Sequence, residues 1–554
     1  MNKLPKYYQL AAILTSALGL TSNTLAQTAP APAADPATRE PETIKLEAFT
    51  VTGSNIKRMD FEKVLPVSVL NLADINIRDA AQPSELLTAL PEVTGLPGNE
   101  TATLGATARG DNSSVSLRGI PSSNTLVLLN GRRLAPHPIS QNEAGVPTLS
   151  TNINQLPNRG LGRVEVLRDG ASSIYGTDAV AGVINYMMRR DQRGTELTLR
   201  YSETSYGDGE DYRATLTHGL DFAKGKGRAM ITADFYRRSA IFVRDRPFAA
   251  EADNSSRAPA PWNVSTNTTF NLRSATSEYG NYSLGTITGT NAFGAVTFAS
   301  GRPAGIPSTL AAASGQFFLQ PGGNGSVVFG TTTPSRAGVT REYYWNNNTY
   351  RVIQPSSDRT NVFASTEYDL NDRLTVFADA SLYRAHSITY REPDGITAST
   401  DGNIVVPVTN PFNPFGNRFW STTGAPNPDG TPRLTGTPSA VLISNKRLTD
   451  LAQRTDYVDN AVYRGVVGVR GKLFKTWTWE SALLYSTARV IENEEGPSRK
   501  SLIIAAINQG DPTKVFNPFT RTFAVQNGTL AVTGDYRNPE SVLSTFRSSF
   551  IRSG

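Results

Sequence analysis

Three histidines, no cysteine and no convergent set of acids and bases make up the reactive inventory of this 554-residue chain. His137 lies in a proline-flanked loop. His218 and His386 lie in alternating apolar and polar runs, and no two of the three have metal-ligand spacing. Each reads as a surface or loop histidine. There is no Gly-x-Ser-x-Gly elbow and no phosphate-binding loop; Gly468-Val-Arg-Gly-Lys472 has a Gly-Lys pair without the glycine at the required offset. The acidic groups Asp208, Glu210 and Asp211, and Glu492, Glu494 and Glu495, read as solvated loop charges. Without cysteine there is no disulfide, thiol chemistry or thioether lipid. The inventory therefore reads as that of a non-enzyme with no cofactor and no metal site.

What stands out instead is a pair of segments rich in glycine and small residues. The first is Ser114-Val-Ser-Leu-Arg-Gly-Ile120 followed by Thr125-Leu-Val-Leu-Leu-Asn-Gly-Arg-Arg133. The second runs Val164-Glu-Val-Leu-Arg-Asp-Gly170, then Tyr175-Gly176, then Gly182-Val-Ile-Asn185. Each is a short apolar strand interrupted by turn residues. Around them the spacing predicts strands at 64–71, 114–117, 126–129, 164–167 and 182–186, and helices at 73–80 and 83–90. Ser84 is placed to cap the second helix and Pro91 to stop it. Helices and short buried strands in one compact region give an α+β domain over residues 55–193.

From Gly194 the texture changes to period-two alternation. Leu197, Leu199 and Tyr201 alternate with Glu196, Thr198 and Arg200; Leu374, Val376, Ala378, Ala380 and Leu382 alternate with polar residues; so do Trp477, Trp479, Leu483 and Tyr485. Similar runs occupy 212–220, 229–243, 362–370 and 462–473. Aromatic residues near strand ends suit a transmembrane β-barrel with interfacial girdles. Short links at 370–373 and 474–475 alternate with long ones at 244–357 and 392–459, read here as polar loops. About eight to ten strands are predicted after residue 194, fewer than the ~22 of a barrel that holds an internal domain, so the barrel is expected to be incomplete in this chain.

Lys3 and Lys6, an apolar stretch from Leu10 to Leu20, and Thr24-Leu-Ala26 form a signal-peptide pattern over residues 1–26. After it, no apolar run approaches the ~20 residues of a spanning helix. Residues 27–42 are rich in Ala, Pro, Thr and Asp and bury too little to order themselves. Then Thr43-Ile-Lys-Leu-Glu-Ala-Phe-Thr-Val-Thr52 alternates, with Ile44, Leu46 and Ala48 on one side and Phe49 and Val51 after a phase slip. Such a stretch can add to a partner's sheet edge, or be the first strand of the domain that follows. The net charge of +6 comes from interleaved charges without a basic block, which excludes a nucleic-acid tail. Mean hydropathy is -0.31, far from that of a helical membrane protein.

The two glycine-rich segments, in this order, resemble those of the plug domain of TonB-dependent outer-membrane receptors. The resemblance implies an α+β plug followed by an antiparallel barrel in the outer membrane. It makes residues 27–54 a periplasmic leader whose segment at about 43–53 is a TonB box, with a core at Ile44–Ala48 or at Phe49–Gly53. The implied partners are a TonB-type energy-transducing protein, outer-membrane lipid, and a small-molecule ligand such as a metal chelate, cobalamin or oligosaccharide. Arg118-Gly119 would make a tight turn. Asn130, Gly131 and Arg132 would end a strand, and Glu165 and Arg168 would meet the barrel. Gly170, Tyr175, Gly176, Gly182 and Asn185 complete the motif; Asp169-Gly170 stands where the family often has Gly-Pro. A passive porin predicts no box and no plug, and a secreted β-rich surface protein predicts solubility without detergent.

Overall fold

The computed structural model describes residue 52, residues 67–95 except 79, 81 and 89, and residues 111–143, 146–157, 159–262, 269–291, 296–474 and 477–554. The signal-peptide pattern, most of the leader and the box residues Ile44, Leu46, Ala48, Phe49 and Val51 lie outside the described residues.

Five strands form the first sheet: β1 (Val67–Asn71), β2 (Thr125–Leu129), β3 (Arg132–Arg133), β4 (Leu161–Leu167) and β5 (Gly182–Met188), in the order β1-β4-β5-β2-β3. Only β2 and β5 run parallel. Helix α1 (Leu72–Arg78) follows β1, with Asn71 and Asp74 exchanging side-chain bonds to each other's backbone N–H at its start. The core of this domain gathers Leu70, Leu86, Leu87, Leu117, Val127, Leu129, Val164, Val166, Ile184 and Tyr186. The helix predicted at 83–90 is not one. Its described residues form turns closed by bonds such as Leu87 N–H to Ser84 O and Leu90 N–H to Leu87 O. Two prolines bound a window too short to nucleate a helix, and its buried side chains are held by tertiary contacts instead, including Tyr186 Oη donating to Pro83 O.

The second sheet is a wall of eight antiparallel strands in sequence order: β6 (Gly194–Ser202), β7 (Asp211–Phe222), β8 (Gly227–Arg238), β9 (Ser356–Asn371), β10 (Leu374–Arg391), β11 (Arg454–Leu473), β12 (Trp477–Ser498) and β13 (Arg547–Ser553). Alternation sorts the side chains. Arg213, Thr215, Thr217, Asp234, Tyr236, Arg359, Asn361, Tyr383, Asn460 and Arg464 are buried on one face. Leu197, Leu199, Leu216, Ile231, Val467, Leu483 and Tyr485 are exposed on the other. A wall with polar residues inside and apolar ones outside is the barrel pattern. The outer aromatics include Phe222, Tyr368, Trp477 and Trp479 near the short turns and Tyr201, Tyr212, Phe235 and Tyr463 toward the other end, while Tyr485 shares the row of Ile231, Ala364, Ala380 and Gly465 between them. No described helix is long and apolar enough to cross a membrane, which says nothing of strands.

The links at the far end are not polar loops. Residues 239–355, 392–453 and 499–546 leave the same rim and share one hydrophobic core. Tyr282, Leu284 and Phe317 come from the first; Ile396, Val406, Phe415, Trp420, Val441 and Ile443 from the second; Ile503, Ile507, Phe516, Phe519 and Phe546 from the third. Strands Val327–Gly330, Gln316–Pro321, Asn281–Thr290, Ala440–Arg447 and Gly395–Thr397 adjoin in that order to make its sheet. Three Asn-Pro-Phe turns pin this module. Asn413 accepts from Phe415 N–H at 2.9 Å and donates to Ser439 O at 2.9 Å. Asn410 accepts from Phe412 N–H and donates to Ile507 O, joining the second and third links. Asn517 accepts from Phe519 N–H and donates to Arg521 O.

Candidate functional site: the plug–wall boundary

Asp111 is fully buried and has a positive φ of 57°. Its carboxylate accepts from Arg359 Nε at 2.8 Å, from Tyr383 Oη at 2.7 Å and from Asn460 Nδ2 at 3.3 Å. These donors sit on β9, β10 and β11. A buried charge is tolerable only when so paired. One side chain of the first domain is thus held by three neighbouring strands of the wall. No property of Asp111 in the sequence singles it out, because its donors lie about 250 to 350 residues away.

The contact extends over six consecutive strands. Arg213 on β7 donates to Ala80 O. Met230 on β8 and Phe363 on β9 join the domain's apolar core. Asn361 donates to Gln155 O, and Arg464 to Leu129 O at 3.3 Å. On β12, Glu480 pairs with Arg132, whose guanidinium also lies 4.9 Å over the Phe377 ring of β10. Polar contacts dominate. Buried side-chain atoms of Asn112, Asn154, Asn361, Asn460 and Arg464 have no protein hydrogen-bond partner among the described residues.

The motif residues divide into those that touch the wall and those that do not. Asn130 and Gly131 have φ of 51° and 76° and make the two-residue turn between β2 and β3. Positive φ at both central positions is why Asn-Gly is favoured there. Asn130 Oδ1 accepts from Met188 N–H, and its Nδ2 donates to Asp379 of β10 at 3.2 Å. Asn185 Oδ1 accepts from Gly131 N–H at 2.9 Å, and Asn185 Nδ2 donates to Thr52 Oγ1 at 3.1 Å. A run of hydrogen bonds therefore joins Thr52, at the C-terminal end of the segment predicted as the box, to the wall through Asn185 and the Asn130-Gly131 turn.

Glu165 is a correction. It was expected at the wall, yet its partners among the described residues are Thr52, by backbone N–H at 2.8 Å and Oγ1 at 2.5 Å, and Arg163 at 2.6 Å. It lies on β4, between β1 and β5, and its side chain meets Thr52 and Arg163. Arg168 is exposed at the end of β4. Arg118 and Gly119 do form a turn with positive φ, but Arg118 bonds Ala181 O and lies 3.5 Å from Asp169, within the domain. A Cβ on Gly182 would stand 2.4 Å from Leu167 O, so only glycine fits there. Gly170 lies in the turn after β4. Tyr175 ends a short helix, Ser172–Tyr175, and its carbonyl accepts from Arg133; Gly176 caps that helix.

The three histidines have separate partners. His137 is buried with Nδ1 2.9 Å from Ile139 O. His218 and His386 lie on wall strands, beside Thr195 and Asp459. Four of the six acidic residues expected in solvated loops make structural contacts: Asp208 pairs with Arg246, Asp211 is buried, and Glu492 and Glu494 on β12 pair with Arg552 and Arg454, whereas Glu495 is exposed. No group of three possible metal ligands occurs among the described residues.

Residues 61–183 match the family model of the TonB-dependent receptor plug domain. Solved structures similar to the chain include the ferric enterobactin receptor PfeA of Pseudomonas aeruginosa (13% identity, TM-score 0.33, 78% of this chain and 50% of that one). They also include the siderophore receptor PirA from Acinetobacter baumannii (13%, 0.31, 77% and 48%) and the ferric citrate transporter FecA (11%, 0.34, 78% and 49%). The chain spans about half the length of these receptors. Over residues 61–183, then, the chain is similar to the plug domain of TonB-dependent receptors.

Proposed function

We propose that this chain is the plug-bearing part of an outer-membrane transporter for a ligand too large and scarce to diffuse in, of the metal-chelate, cobalamin or oligosaccharide type. Residues 1–26 direct export, 27–54 form the leader, 55–193 the plug and 194–554 the first part of the barrel. The observation that carries this reading is the plug's seat: Asp111 gripped by three wall strands, and Arg132 and Asn130 tied to two. A plug in that place closes the lumen, so uptake requires it to move. The outer membrane has no ATP, and a TonB-type protein can deliver the inner-membrane proton motive force, worth about 2.3 kcal/mol per charge per 100 mV. It would pair with residues 43–53 by strand addition and pull. The bonds from Thr52 through Asn185 to the wall supply a path for that pull.

The absence of native cysteine makes the test clean. Arg132→Cys and Glu480→Cys, joined in whole cells by a short bis-methanethiosulfonate cross-linker, which forms a disulfide to each thiol with loss of methanesulfinate, should abolish energised uptake of a ferric siderophore, cobalamin or oligosaccharide panel, and reductant should restore it. Uptake that persists through the tether overturns a moving plug. Val51→Pro separately probes the box: retained uptake in that variant rejects the segment at 43–53.

A further inference from the structure

The outer face of the wall changes character within one row of residues. In the row through Tyr463, the cross-strand neighbours are Val362, Leu382 and Thr487. One pair further from the short turns, the row reads Phe235, Thr360, Arg384, Ala461 and Arg489. Arg384 and Arg489 face outward on either side of Ala461 and are exposed. Neither has a carboxylate partner among the described residues; Arg384 donates only to Tyr463 Oη, at 2.9 Å. In the next row, Arg237 makes two bonds to Asp358, and His386 Nδ1 lies 2.8 Å from Asp459. Arg384 and Arg489 are two outward guanidiniums with no ion pair among the described residues. They lie two strand spacings apart, about 10 Å between backbones, with a small residue between them and a tyrosine beneath.

A second feature lies on the same face. An apolar depression of about 330 Å³ is lined by Leu220, Ile231, Ala364, Ala378 and Ala380, among others. Ala380 lies four residues down β10 from Arg384, about 13 Å at strand rise, on the side of the short turns.

We propose that Arg384 and Arg489 form a cradle for the phosphate of an outer-leaflet lipid headgroup, with an acyl chain of the same lipid lying toward the depression. The occupant is a phosphorylated lipid. Paired arginines match phosphate oxygens in geometry as well as charge. The tyrosine level fixes the row at the headgroup boundary, where such a ligand is found. This inference rests on the outer-membrane reading above.

The test uses the full protein purified in a non-ionic detergent. Short-chain phosphatidic acid, phosphatidylcholine of the same chain length and inorganic phosphate are titrated against thermal unfolding and retained lipid by native mass spectrometry. Phosphatidic acid should bind, and the pair Arg384→Gln with Arg489→Gln should weaken it at least tenfold. The Lys pair at the same positions should stay within threefold, and Lys514→Gln, in the third link, should change nothing. Equal binding by wild type and the Gln pair overturns the cradle. An equal response to inorganic phosphate overturns the lipid assignment, and so does an equal response to phosphatidylcholine. Cell fractionation separates the two readings. A protein that leaves the membrane without detergent fails the outer-membrane reading, whereas a membrane-retained Gln pair with wild-type lipid binding fails the cradle alone.

Discussion

The plug–wall boundary and the core of the far-rim module are both buried, yet they are built from opposite materials. The boundary is polar: Asp111, Arg359, Tyr383, Asn460, Arg464 and Asn130 meet across it, and among the described residues only Met230 and Phe363 of the wall enter the plug's apolar core. The module is aromatic: the Phe317 ring lies 4.9 Å from Phe415 and 5.1 Å from Tyr282, and Phe516 packs edge-on to Phe546 at 4.9 Å. A polar interface exchanges its bonds for water at little net cost, because each intramolecular hydrogen bond is worth only about 1 kcal/mol net. A dry aromatic core forfeits its full burial energy when opened. The first surface is suited to separation and the second to permanence.

That contrast can be broken in the module first. Trp420→Ala empties a site 1% exposed and should cost about 3–5 kcal/mol. Limited proteolysis should then release cuts in all three links together; cuts confined to the second link would show that the core is not shared. At the boundary, Asp111→Ala leaves Arg359 buried without its carboxylate and should loosen plug seating by about 3 kcal/mol, read as faster amide exchange in residues 111–118 and 152–156. Replacing both partners by Leu and Met should recover most of that loss, as expected where the pair is dispensable to packing. Equal exchange in the single and double variants would contradict this.

Lys446 sharpens the picture on the module side. It is fully buried, donates to Glu278 O and to Thr520 Oγ1 at 2.8 Å, and feels Arg521, Glu278 and Asp450 nearby. Burial, aided by Arg521, lowers its pKa to about 7. The folded state therefore sheds this proton more readily than the unfolded chain. Stability should climb between about pH 7 and pH 10, by at most about 1.4 kcal/mol per unit, and be flat below. Lys446→Met should remove the slope in chemical denaturation of the module. The smallest effect is expected at Asn413→Ala, about 1–3 kcal/mol, with tryptophan fluorescence of Trp420 reporting the disturbed turn.

The wall was legible because each strand carries its own evidence. Leu197-x-Leu199-x-Tyr201 and Trp477-x-Trp479 alternate without reference to anything else in the chain. The Asn130-Gly131 turn was legible for the same reason, since positive φ is a local demand. The module was not legible. Its core draws on pieces such as Val405–Val406 and Trp420–Ser421, too short to show a period, and on three segments that meet only in space. The Asn-Pro-Phe turns pin through partners set by the tertiary fold, such as the Ile507 carbonyl that Asn410 reaches in another link. The destination of Glu165 was misjudged because a charge on a strand says nothing about which neighbour crosses its face.

The three links rise from one rim and share one core, and Asn410 ties the second to the third, which restricts how that rim can open. They cannot swing apart like independent flaps, one hinge at a time. Opening that rim requires the shared core to move as one piece.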